Sequence, residues 1–183
     1  MYKAKEQIRR EILSQLSSQN KEKALKKSKE VKKKLFSCKE FKKANFVMLY
    51  ASKDEEVSTG EIIDEALRMG KRVALPLCTS QKTITAKEIS DRKRDLERGV
   101  YGIWQPLKCQ KDANLEEIDL VVVPAVAFDK KNVRLGRGKG YYDKFLSKSA
   151  RNKYSIGLAF DFQVVDSLPK DSHDIPVSKV ITA

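Results

Sequence analysis

The spacing of apolar residues changes period along the chain, and each period names an element. From Lys3 to Leu16, Ile8, Ile12, Leu13 and Leu16 recur at three- and four-residue intervals, as in a helix that buries one stripe. Lys5 and Arg9, four residues apart, share a face that this pattern sets opposite the apolar one. Ser17, Ser18 and Asn20 interrupt the helix. A second is predicted to about Leu35, with Ala24, Leu25, Ser28, Val31 and Leu35 inward and the lysines of KKSKEVKKK outward.

From Asn45 the period shortens. NFVMLYA is a short apolar run with β-branched and aromatic members and reads as a buried strand. Ser58 and Glu61 have the spacing of a capping box, opening a helix with apolar Ile62, Ile63, Ala66 and Leu67 that Gly70 closes. KRVALPLC is the next buried strand, and TITAKEI alternates like a strand with one wet face. Residues 90–116 read as polar and irregular, with Trp104 and Pro106 in their midst. IDLVVVPAVAF is the most apolar run and predicts a central strand ending at Pro124. A glycine loop, a helix from Tyr142 to Ser147, the strand YSIGLAF, a loop with Pro169 and Pro176, and a last strand near Val180–Thr182 complete the chain.

Strands alternating with helices, and apolar throughout, predict an α/β domain around a largely parallel sheet covered on both faces. At 183 residues the chain makes one domain, 1–183, with helices 1–43 packed on it. In such sheets ligands sit beyond the carboxyl ends of the strands, which singles out loops 51–58, 124–141 and 160–176.

Composition changes the picture in three places. With 40% hydrophobic residues, full-length disorder is excluded. The net charge of +13 is uneven: residues 1–43 hold 13 Lys and 2 Arg against 5 Glu, so +10 belongs to that quarter. A polyanionic partner is expected, although a lysine run is also what a solvated helix face looks like. An RNA-binding protein is the alternative from another class. It would need base-stacking aromatics among the lysines, and the segment has only Phe36 and Phe41, so nucleic acid is not the expected partner. No run approaches the roughly 20 apolar residues of a membrane span, and MYKAKEQIRREIL lacks the apolar core of a secretory signal, so a cytoplasmic protein with no membrane partner is expected. A monomer is the expected state, although nothing in these patterns decides it. Cys38, Cys78 and Cys109 suit neither a disulfide framework nor a metal knuckle and are expected as three reduced, semi-buried thiols.

The richest segment for chemistry is RLGRGKGYYDKF, residues 134–145. Gly136, Gly138 and Gly140 alternate with Arg137 and Lys139 directly before a helix. Glycines allow close backbone approach, the helix N-terminus points N–H groups outward, and cations supply counter-charge, which are the needs of a polyphosphate. The spacing is neither Walker A nor GxGxxG. Asp143 falls in the first helical turn, where it complements the dipole or ligates Mg²⁺, and Asp174 of HDIP is the second acidic candidate. His173 is the lone histidine, so a zinc cluster is excluded, and no nucleophile elbow accompanies it. Tyr141 and Tyr142 suit packing at a helix start or stacking on a flat heterocycle, and Glu56 is either a solvated acid or a partner for ring N–H groups.

PAVAFDKKNVRLGRGKGYYDKFL resembles the signature of the 5-formyltetrahydrofolate cyclo-ligase family, also called 5,10-methenyltetrahydrofolate synthetases. The resemblance extends over the chain through Lys5, Ile8 and Arg9, through Glu56-Val57-Ser58-Thr59, and through the late HDIPV segment. Ala125 and Asn132 depart from it where glycine is expected, and Ser58 where Asp is common. The resemblance implies a three-layer α/β/α domain and an ATP-dependent ligase of folate one-carbon metabolism with small-molecule substrates, 5-formyltetrahydrofolate and ATP, and with Mg²⁺ as cofactor. It implies that Lys5 and Arg9 reach ATP and that Arg134, Leu135, Gly136, Arg137, Gly138, Lys139, Gly140, Tyr141 and Tyr142 wrap its phosphates. Asp143 and Asp174 would hold the metal, Ala51, Glu56 and Arg137 to Tyr141 would contact the folate, and Arg137 and Lys139 would be catalytic.

Overall fold

Burial alternates between two sides along each central strand, so the sheet must be covered twice. In β6 (Leu120–Val123), Leu120 and Val122 belong to one apolar core and Val121 and Val123 to the other. Val73 and Leu75 are likewise opposed to Ala74 in β2 (Arg72–Cys78), and Val47 to Phe46 and Met48 in β1 (Phe46–Met48). A strand whose two faces are both dry reads as a continuous apolar run.

The computed structural model describes residues 2–78, 83–99, 102–148 and 153–183. Its main sheet has six strands in the order β11-β9-β6-β1-β2-β3, where β3 is Ile84–Ile89, β9 is Tyr154–Ala159 and β11 is Lys179–Thr182. All pairs are parallel except β2 with β3. One face is covered by α1 (Tyr2–Ser18), α2 (Lys21–Ser37), α3 (Lys39–Lys43) and α4 (Gly60–Arg68), through Ile12, Leu16, Val31, Leu35, Phe41 and Ile62 among others. The other face is covered by α5 (Tyr141–Lys148), through Phe145 and Leu146, and by Phe128 of a smaller sheet. The chain is thus a mixed α/β protein with a mostly parallel central sheet, as its apolar runs predict. Among the described residues no helix is long and apolar enough to cross a membrane.

Several local expectations are corrected. Lys5 and Arg9 are not opposite the apolar stripe of α1. They are buried and continue it, since positions 5, 9, 12 and 16 form one helical face. Leu25 is exposed rather than inward, while Ser28 is buried and accepts a hydrogen bond from the Ser58 N–H at 3.1 Å. The Ser58–Glu61 box does not form: Thr59 is the N-cap of α4, and its hydroxyl donates to the Tyr50 carbonyl at 2.5 Å and accepts from the Ser52 N–H at 3.0 Å. That side chain staples the loop after β1 instead of the helix end.

Residues 90–116 are not irregular throughout, because β4 (Leu96–Arg98) pairs with β5 (Trp104–Pro106). A second sheet, β10-β7-β8, follows Pro124 and comprises Ala127–Asp129 (β7), Arg134–Leu135 (β8) and Val164–Val165 (β10). The buried residues of β3, Ala86 and Ile89, fall on opposite faces, so this edge strand has no uniformly wet side. Of the thiols, Cys38 is buried and Cys78 and Cys109 are exposed, rather than all three half-buried.

Phe128 reaches the sheet only because β9 carries Gly157. A Cβ there would lie 2.2 Å from the Phe128 ring. Both residues belong to the support of the loop after β6, so overpacking here loosens the segment that carries the glycine signature. Gly157→Ala is expected to lower stability by about 1–3 kcal/mol in urea unfolding with an unchanged denaturant slope, and Phe128→Leu in the same background should recover part of the loss. An unaltered midpoint in the single variant would show that this contact is not tight.

Candidate active site

β1, β6 and β9 run parallel, so the loops that follow them leave the sheet at one edge. The loop after β1 is held closed by Thr59 and Ser52, the Ser52 hydroxyl accepting from the Thr59 N–H at 3.2 Å. Inside it Glu56 accepts from the Lys53 N–H at 3.1 Å. Burial pushes the Glu56 carboxyl up from its ordinary value, against the opposing pull of the Lys53 N–H and the Arg137 charge. Burial would raise Glu55 too, but its backbone hydrogen bond and Arg137, at 2.6 Å, hold it below the ordinary range. Arg137 also reaches Glu56, at 3.4 Å, and so ties the glycine loop to the loop after β1.

The loop after β6 is organised by buried Asp129. One of its oxygens accepts from the N–H groups of Lys131 (2.8 Å) and Val133 (2.9 Å), and the other from the Leu168 N–H (3.1 Å), which fastens the loop after β9. The turn places Asn132 at φ 61°, a left-handed conformation that asparagine tolerates, so this departure from glycine keeps the geometry. Among the described residues it is the one non-glycine with positive φ, hence Ala125 stands in ordinary backbone. The Gln163 side chain donates to the carbonyls of Ala125 (3.1 Å) and Val126 (3.0 Å) and accepts from the Phe160 N–H (2.8 Å), which binds the second and third loops together.

Arg134 and Leu135 are buried on β8. The Arg134 guanidinium lies beneath the glycine loop, donates to Asp143 at 2.6 Å and stands 5.7 Å from the centre of the Tyr142 ring. At Gly136 a Cβ would sit 2.9 Å from a terminal Arg134 nitrogen, so a side chain there would push the guanidinium aside. Gly138 (φ 91°) and Gly140 (φ 67°) take conformations that side chains rarely adopt, and α5 starts directly after them. The Arg134 Nε and the Tyr142 hydroxyl are buried without a protein hydrogen-bond partner. Burial, with Cys78 and Glu56 nearby, drives the Tyr142 hydroxyl far above its ordinary pKa, so it stays a neutral donor.

The α1 stripe meets two of these loops. The Arg9 Nε donates to the Gly136 carbonyl at 2.9 Å, and its Nη1 pairs with Glu6 at 2.5 Å. The Lys5 ammonium pairs with Asp174 and, at 2.7 Å, with Asp171. Burial would raise the Asp174 pKa, but Lys5 and the Asp171 N–H hold it below the ordinary carboxylate range.

All the residues expected to be catalytic, to bind ATP or folate, or to hold the metal line one cleft of about 830 Å³. They are not equally disposed. Lys5 and Arg9 are engaged by protein groups, Arg134 is packed under the loop rather than projecting from it, and Asp143 belongs to Arg134. Among the described residues the side chains whose ligand atoms gather within 4.8 Å are Asp171, His173 and Asp174, without Asp143. The sequence reading missed Tyr50, Asp171, Gln105 and Trp104 of the lining. Asp171 had a signal in the acidic turn DSHD. Trp104, stacked under Arg98 at 4.6 Å, arrives on a hairpin whose three-residue strands carry too little alternation to be read.

Comparison with known proteins agrees with the signature. A 5-formyltetrahydrofolate cyclo-ligase of Haemophilus influenzae is 33% identical over 147 residues, 78% of each chain. A probable 5-formyltetrahydrofolate cyclo-ligase of Caenorhabditis elegans is 30% identical over 188 residues, 97% of this chain and 91% of the relative. The NMR structure of Aquifex aeolicus 5,10-methenyltetrahydrofolate synthetase, 34% identical, superposes with a TM-score of 0.86 over 97% of this chain and 89% of that one. The family model described as the 5-formyltetrahydrofolate cyclo-ligase family matches residues 1–183, and with the signature loop, the loop after β1 and the late acidic turn opening on one cleft, the chain belongs to that family.

Proposed function

We propose that this chain converts 5-formyltetrahydrofolate and ATP into 5,10-methenyltetrahydrofolate, ADP and phosphate, with Mg²⁺. The observation that carries the reading is the convergence on one cleft of a cationic glycine loop, a carboxylate loop and an acidic turn. The glycine loop suits a polyphosphate: it presents Arg137 and Lys139, runs into the start of α5, and has buried beside it two donors, Arg134 Nε and Tyr142 OH, that no protein group satisfies. Asp143 and Asp174 suit a hard cation, because Mg²⁺ is usually held by one or two carboxylates plus substrate phosphates, and each is oriented by a cation of the chain through one of its oxygens.

ATP would supply the phosphoryl group that makes the formyl oxygen a leaving group, after which N10 of the folate closes on the activated carbon. No protein nucleophile is needed, and the chain's part is positioning and charge stabilisation. Arg137 and Lys139 face the charge that shifts during transfer. Ala51, Tyr141 and Glu56 line the folate side, where a carboxylate can accept ring N–H groups. The RNA-binding alternative lacks its required feature: Phe36 and Phe41 pack on each other at 4.6 Å, and Phe41 is fully buried.

Three outcomes test the reading. ADP release by the purified protein should depend on 5-formyltetrahydrofolate and match the methenyl product one to one. Efficient cyclisation without nucleotide would overturn it. Lys139→Ala should lower kcat by about 10²–10³ and change KM for ATP far less, as expected for charge stabilised chiefly in the transition state. A purely KM effect would instead mean uniform phosphate binding.

The third outcome concerns pH. Burial raises the folded pKa of Glu56 above its unfolded value, so the wild type loses stability as pH rises through the folded value, and a neutral glutamine does not. Glu56→Gln should therefore melt higher than wild type at pH 8, converge with it at about pH 4, and bind folate more weakly. A lower melting point at pH 8 would show that Arg137 outweighs burial.

A further inference from the structure

We propose that the Lys5 ammonium is the resting counter-ion of a metal seat formed by Asp171 and Asp174, and that a divalent cation takes the seat only when the nucleotide has drawn Lys5 away. This rests on the ATP- and magnesium-dependent reading above and adds to it an exchange of cations within the chain.

Lys5 comes from the buried stripe of α1, and its own exposure is 8%. One ammonium donor goes to Asp171 at 2.7 Å and another to Asp174. Both acceptors lie in a tight turn, closed by the Asp174 N–H on the Asp171 carbonyl at 3.1 Å and by the Asp171 N–H on the Asp174 carboxylate at 2.7 Å. The ligand atoms of Asp171, His173 and Asp174 lie within 4.8 Å of one another, so they can share one ion. An ammonium and a divalent cation would compete for the same oxygens and repel each other at contact distance where solvent screens poorly. Two carboxylates freed of Lys5 carry the charge that one divalent ion matches.

The place Lys5 would move to is near. One helical turn along α1, Arg9 donates to the Gly136 carbonyl, so the same helix face spans the acidic turn and the glycine loop. Arg9 is fixed there by its fork of donors. Lys5 is a point charge on a flexible stem, able to turn from the carboxylates to a phosphate chain on the loop. Asp171 thereby joins Asp174 as a metal-site residue.

The exchange is tested without turnover by titrating Mn²⁺, a probe that accepts carboxylate and imidazole, into nucleotide-free protein and reading free Mn²⁺ by electron paramagnetic resonance. Lys5→Met and Lys5→Gln should bind one Mn²⁺ at least about tenfold tighter than wild type, and Lys5→Arg, which keeps the charge, should bind it as weakly as wild type. Adding Asp171→Asn to Lys5→Gln should abolish the gain. The glutamine variant keeps a donor for the carboxylates and so remains informative if the methionine variant does not fold. Unchanged or weaker Mn²⁺ binding in the neutral variants, or equal tightening in Lys5→Arg, would overturn the exchange. Tightened Mn²⁺ binding in the neutral variants together with a wild type that forms no methenyl product from 5-formyltetrahydrofolate and ATP would overturn the cyclo-ligase reading and leave the exchange standing.

Discussion

Everything in this molecule depends on parallel strands that are dry on both sides. A polar group buried on either face would need a partner, so the sheet excludes chemistry from its interior and moves it to the loops. Because β1, β6 and β9 are parallel, those loops emerge together, and distant stretches of chain meet at one edge. The apolar runs that define the fold therefore also decide where the cleft must be.

Within the cleft, charge is settled pairwise. Lys5 faces Asp171 and Asp174, Arg134 faces Asp143, and Arg137 faces Glu55 and Glu56. Removing one member of a buried pair leaves an uncompensated charge, which costs more than the pair itself contributes. The Arg137 pairs join two loops and the Lys5 pairs join α1 to a third, so these pairs hold the cleft's walls in register, while Arg134–Asp143 braces the glycine loop against the start of α5. A substrate with its own anions and ring N–H groups must then compete for cations and carboxylates that already have partners, which makes binding an exchange rather than an addition.

Legibility from sequence followed the length of the signal. Runs such as LVVV and RVALPLC are long and uniform, and the sheet they predict is the sheet that forms. β1 has only three residues but sits in the apolar run NFVMLYA, whereas β4, β5, β7, β8 and β10, of two or three residues, carry almost no period, and their pairing is decided by tertiary partners such as Asp129 and Gln163. The cleft lining was legible because glycines, cations and acids cluster in sequence. Which cation meets which acid was not, since Lys5 and Asp174 are brought together only by the docking of α1.

That docking explains why the hydrophobes of α1 alone mislead about its charged end. Judged by its hydrophobes, the stripe puts Lys5 and Arg9 opposite Ile12 and Leu16, although their spacing places all four on one face. Where a helix crosses from the sheet's core to its rim, the same face must change from apolar to charged, because the groups opposite it change from side chains of β-strands to carboxylates and carbonyls of loops. A stripe that begins with two cations and continues with hydrophobes is then the expected pattern for a helix that packs on a core and reaches past it into a site.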